Sequence, residues 1–225
     1  MKCRSRRFAV RWIGLAGVLL AAGGWFAPQI YAPLRIVVAP RGAMAPLVPQ
    51  SPVAARILAG AKAQIGTRYD ASYREIGYPM GDVDSSRGAC TDVVIRALRS
   101  AGYDLQQRVH QDMLARWSAY PKTWGLSAPN ANIDHRRVPN QMVYFRRYGR
   151  ALPLDASGQS LQSWQPGDIV YWNTGNASNT RLHTGIVSDT RDARGLPFVV
   201  HNGSVCLEDD ALDRWPIIGH FRFPE

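Results

Sequence analysis

The hydrophobic period of this chain changes once, at Pro166-Gly167, and that change limits its fold more than any other feature. Ahead of it, apolar residues recur at helical spacing. Behind it, "DIVYW", "LHTGIVS", "PFVVHN" and "IIGHFRF" are short runs rich in β-branched and aromatic residues, the pattern of strands. Helices followed by an antiparallel sheet make an α+β layout. The first helix is predicted from Ser51, a good N-cap, through Pro52, with Val53, Ile57, Leu58, Ala61 and Ile65 as its apolar stripe and Gly66 as its stop. A second runs from about Cys90 to Ser100, facing inward with Val93, Val94, Ala97, Leu98 and Ala101, and ends at Gly102. The third is capped by Asp104 and covers about Leu105 to Ala119, with Val109, Met113, Leu114 and Trp117 as its stripe. A shorter fourth spans roughly Asn140 to Tyr148 and stops at Gly149.

Charge separates the chain into parts. Residues 1–69 carry ten of the 27 basic side chains and no acid, which leaves 17 basic and 17 acidic residues for the remainder. The body is formally neutral, so the net charge of +10 is no sign of nucleic-acid binding, which needs its basic excess on the folded surface. Half of the excess belongs to "MKCRSRRFAVR", which precedes the charge-free run "WIGLAGVLLAAGGWF". That pairing reads as an export signal, and the uncharged stretch from Trp12 to Leu34 is long enough to serve as an anchor instead. Residues 1–32 are therefore expected to be a signal peptide or N-terminal membrane anchor, placing the body in the periplasm or on the inner membrane facing it. Cys3 lies in the basic region, away from where a lipoprotein cysteine would sit. Residues 33–50, with four prolines, read as a linker, and residues 51–225 as one folded domain.

Cys90 falls in "SSRGACTDVVIRAL", at a predicted helix start, where the macrodipole favours a thiolate. A nucleophile also needs a base and a group that orients the base. His183 and His201 lie on consecutive strands, symmetric about Asp192, and a hairpin centred there sets them directly opposite on one face. A one-residue slip would part them. Three other readings of the thiol stay open: a buried small hydrophobe, a zinc ligand without the usual C-x-x-C or H-E-x-x-H spacing, and half of a Cys90–Cys206 disulfide in a noncatalytic envelope protein. Cys206 is roughly 17 Å beyond His201 if the chain is extended, although Gly203-Ser204 can turn it back. No cofactor motif is present. His110 and His220 have no partner that the sequence reveals.

These residues carry a resemblance. "IGTRY", "GACTDVV", "QPGDIVYW", "HTGIV" and "VVHN" are similar, in order, to motifs of NlpC-type, papain-like cell-wall peptidases. "YPMGDV", "CTDVVIRAL", "YPKTWGL", "NIDHRRVPN", "PGDIVYW", "HTGIVSD" and "VVHN" together resemble the domain-of-unknown-function family 1287, over about residues 55–223. The sequence departs from the NlpC pattern in having Thr91-Asp92 after the cysteine and a longer insertion, about 103–163. The resemblance implies a papain-like fold and an amide hydrolase, with Cys90 as nucleophile, His183 as base and acid, His201 as orienting residue and Tyr69 beside the oxyanion. It also implies peptidoglycan stem peptides as substrate. On that footing Asp134, His135, Arg136 and Arg137 are expected to read substrate carboxylates, the plainer alternative being a solvated loop with local Asp-Arg pairs. An amine in place of water would make the same site an acyltransferase.

Overall fold

A computed structural model describes residues 44–175 and 181–224. The export or anchor segment and most of the linker lie outside the described residues, and no described helix is long and apolar enough to cross a membrane. The fold is α+β. Its helices are α1 (Pro52–Lys62), α2 (Cys90–Ser100), α3 (Leu105–Ala115) and α4 (Val138–Tyr148). Its short strands β1 (Arg68–Tyr69), β2 (Arg87–Gly88) and β3 (Arg150–Ala151) are interleaved with them, and β4 (Ile169–Asn173), β5 (Leu182–Arg191), β6 (Pro197–Asn202), β7 (Cys206–Asp209) and β8 (Ile217–Arg222) follow. A six-stranded antiparallel sheet has the order β3-β8-β4-β5-β6-β7, and β1 pairs with β2 in parallel.

Local chemistry sets the helix starts. Ser51 Oγ accepts the Ala54 N–H at 3.0 Å, and the Asp104 carboxylate accepts Gln106 N–H at 3.1 Å. Three helical expectations are corrected at their ends. The third helix stops at Ala115, where Arg116 leaves helical geometry (φ −142°), and resumes only as a 3₁₀ turn at Trp117–Ala119. Leu114 is 62% exposed rather than inward, and Ile65 lies beyond the end of α1 at 48% exposure. The fourth helix begins two residues early at Val138, because Pro139 suits a first turn.

Alternation along the strands divides the core in two. Ile169, Tyr171, Ile186, Val200 and Phe221 pack toward the helices, against Ile57, Val93, Val94, Leu98 and Phe145. Val170, Trp172, Val187 and Val199 pack on the other face with Trp164, Leu196 and Leu212. α2 is buried on nearly every side, since Cys90 through Ile95 are all buried. Asp168, of the Pro-Gly-Asp turn, closes the far end: His220 Nε2 lies 2.9 Å from it, Arg222 Nε donates to it at 2.7 Å, and Trp164 stacks on the His220 ring at 3.5 Å. His220 thus has a structural partner that its sequence context hides.

Candidate active site

Cys90 opens α2 and is buried. The β5–β6 ladder ends at the Gly185–His201 pair, which frees the Thr184 N–H. That N–H and those of Thr91 and Cys90 itself favour the thiolate. Burial outweighs them and pushes the thiol up to about 11. The expected thiolate is therefore corrected: at neutral pH the dipole of α2 does not compensate for the lost water, and the thiol stays protonated.

His183 and His201 meet, though not as direct opposites. His201 faces Gly185, two residues along from His183, because the hairpin is centred near Arg194, with Arg191 opposite Pro197, and the register shift between Val187 and Arg191 brings the pairing only part of the way back toward Asp192. An offset of two keeps both side chains on one face, and His183 Nε2 lies 2.9 Å from His201 Nδ1. Gly185 makes this approach possible: a Cβ there would stand 2.9 Å from His201 Cβ. Trp172 and Trp215 border the pair, with ring centroids 5.7 and 5.9 Å from His183. His201 Nε2 points toward Asp209 Oδ2 at 3.8 Å, and Asp209 is held by Arg214 at 2.6 Å. The thiol packs among the helix-facing core residues, whereas the imidazoles belong to the opposite strand face; Thr184, next to His183, connects them. Among the described residues no hydrogen bond yet joins the thiol to either ring.

Tyr69 is brought to the thiol through β1–β2 pairing, which sets it beside Gly88, two residues before Cys90. Its phenol pKa is raised by partial burial and then by the neighbouring Cys90 and Asp92. Asn202 holds this corner: its Nδ2 donates to Gly88 O at 2.9 Å and Thr67 O at 3.2 Å. Its role escapes sequence reasoning because both acceptors are backbone atoms more than a hundred residues away. Cys206 is buried in the same core as Cys90, and both thiols are free, so the disulfide alternative is not formed.

The four expected substrate readers are placed otherwise. Asp134, His135 and Arg136 are buried in a 3₁₀ turn. Arg136 forks onto Asp92 with contacts of 2.9 and 2.8 Å. Arg137 donates to Asp134 at 2.8 Å and its guanidinium covers the Trp124 ring. The charged ends of Asp134, Arg136 and Arg137 are each held by protein partners, because a buried arginine is stable only when its donors are satisfied. An open, mixed-charge cavity of about 370 Å³, lined by Asp70, Ser72, Arg74, Glu75, Asp84 and Arg87 among others, adjoins Tyr69 and Gly88 instead.

Burial also lowers His183 to about 4, with His201 nearby, and His135 to about 3, with Arg136 nearby. An unfolded histidine titrates near 6.5. The unfolded chain therefore gains protons that the fold refuses. Stability is full above pH 6.5 and falls progressively toward the folded values. Thermal melts should show Tm declining already between about pH 6.5 and 5, above the carboxylate range; a flat Tm there contradicts neutral burial of both rings.

Fold and site together define an α+β protein with a buried thiol at a helix start and a hydrogen-bonded imidazole pair on the adjoining strands. The chain belongs to the family described as Domain of unknown function (DUF1287), whose profile matches residues 58–223. It is similar to the Escherichia coli (strain K12) protein named "Uncharacterized protein YijF", 44% identical over 167 residues, covering 73% of this chain and 78% of that one.

Proposed function

We propose that this protein is a thiol-dependent amide hydrolase of the cell envelope, papain-like in its catalytic arrangement. The observation that carries the reading is the 2.9 Å His183–His201 contact on the strand whose next residue, Thr184, turns its N–H to Cys90. One assignment of protons fits the row, with His201 Nε2 left 3.8 Å from Asp209 and without a hydrogen bond. His183 Nε2–H donates to His201 Nδ1, His201 Nε2–H faces Asp209, and His183 Nδ1 is left as the base. A neutral imidazole is the form this role requires, and the low His183 pKa keeps it so.

In the proposed reaction, Cys90 Sγ forms a bond to the substrate carbonyl carbon as its proton is relayed through a water to His183 Nδ1, because the thiol and the imidazole lie on opposite faces of β5 and make no direct contact. The Cys90 N–H and the Tyr69 hydroxyl supply the oxyanion donors. The C–N bond breaks, the amine leaves with the proton from His183, and a thioester remains on Cys90. Water then attacks it, His183 takes and returns the proton, and a carboxylic acid departs. Resolution by an amine would make the protein an acyltransferase.

Peptidoglycan stem peptides are the substrate class that the family resemblance favours, and export through the N-terminal segment would bring the domain to them. The test is digestion of soluble disaccharide-tetrapeptide fragments with product masses followed. Appearance of a new amine and a new carboxylate at one stem bond is expected. Unchanged fragments after prolonged incubation, at enzyme concentrations comparable to substrate, overturn the substrate assignment.

A further inference from the structure

Asp92 and Arg136 stand 44 residues apart and meet as a buried fork, with side chains only 4% and 3% exposed. The pair is tied to the thiol from three directions. Asp92 Oδ2 accepts the N–H of Ala89, the residue before Cys90, at 2.6 Å. Thr91 Oγ, on the residue after Cys90, donates to Arg136 O at 3.0 Å. Arg136 also donates to Ser72 O at 3.0 Å and Asp70 O at 3.3 Å, fixing the segment that follows Tyr69. A pair that served packing alone would be replaceable by apolar residues at little cost. This one joins the insertion, the first turn of α2 and the Tyr69 segment at a single point.

We infer that the Asp92–Arg136 pair is a positioning device for the Cys90 thiol: it holds the thiol and Tyr69 in register and balances the charge they face. The inference rests on the hydrolase reading for its meaning, but not for its test. The other ionisable groups near Cys90 are Tyr69 from β1 and Tyr171 from β4, with Cys206 in the shared core, while His183 of β5 lies on the opposite face of its strand. All are neutral at pH 7, with the phenols and the second thiol raised and the imidazole lowered. Removing either member of the pair therefore leaves a single uncompensated charge beside the thiol, of opposite sign in the two cases.

The experiment titrates the Cys90 Cβ carbon-13 resonance in the full chain, for wild type, Asp92→Asn, Arg136→Gln and Arg136→Lys. Asp92→Asn leaves the guanidinium and should move the midpoint down by roughly one pH unit, and Arg136→Gln leaves the carboxylate and should move it up by about as much. Arg136→Lys keeps the charge but loses the fork, so its midpoint should stay within about 0.3 unit of wild type while kcat falls about tenfold at unchanged KM. Midpoints that move in the same direction, or not at all, in Asp92→Asn and Arg136→Gln overturn the inference. Should Arg136→Gln fail to fold, a downward shift in Asp92→Asn with none in Arg136→Lys sustains it, and any other combination overturns it. Absence of hydrolysis by wild type would defeat the hydrolase reading, while the titration still decides what the pair does.

Discussion

Cys90→Ala is expected to abolish amide hydrolysis while leaving the fold in place. Removing the nucleophile of a thiol or serine hydrolase costs on the order of 10⁴- to 10⁶-fold in kcat, because the covalent route is lost and the imidazole has no proton to receive. The structural cost is small. One sulfur leaves a site already close-packed with Val93, Ile186 and Tyr171, a loss of about 1 kcal/mol. Thermal melts and hydrolysis assays on the same samples separate the two effects. Residual activity within tenfold of wild type would remove Cys90 from the mechanism.

Gly185→Ala should damage stability and activity together. A Cβ at this position would lie 2.6 Å from Val199 Cγ1, 2.8 Å from Val200 O and 2.9 Å from His201 Cβ. Two of those atoms belong to the backbone or to its first side-chain carbon, so no rotamer change relieves the overlap, and β5 and β6 must separate. The expected cost is about 3 kcal/mol, or roughly 6–12 °C in Tm for a domain of this size. Separation of the strands also lengthens the His183–His201 contact, and a displacement of about 1 Å in the base lowers kcat by about 10²-fold. Gly203→Ala is the control, since a Cβ there meets nothing within 4 Å. Equal Tm values for the two variants would show that Gly185 is not a close-approach glycine.

Much of this site was legible because its signals are local or depend on strand parity. Gly88-Ala89-Cys90 followed by Val93, Val94, Ala97 and Leu98 marks a helix start with its apolar face, and α2 begins at Cys90. The two histidines were placed on one face by symmetry about a loop; the true register differs by two residues, and because side chains alternate with period two the face survives the error. What the sequence could not disclose depends on distant partners. The run Asp134 to Arg137 looks like an exposed charged loop, and only the fold shows Arg136 turned inward to Asp92. Asp92 in turn passes for an ordinary first-turn acid. The protonated state of Cys90 is hidden for a similar reason: the helix dipole is visible in sequence, whereas the desolvation that overrides it comes from β4, β5 and β6.

In the proposed reaction Cys90 carries the acyl group and His183 is the base. Intact-mass measurement of the full chain during turnover of a disaccharide-tetrapeptide fragment, quenched in acid at short times, tests it most directly. The expected result is a covalent adduct equal to the acyl half of the substrate, mapped to Cys90, discharged by hydroxylamine as a thioester and missing in both Cys90→Ala and His183→Ala. Turnover without any adduct on Cys90, persisting in Cys90→Ala, would contradict it.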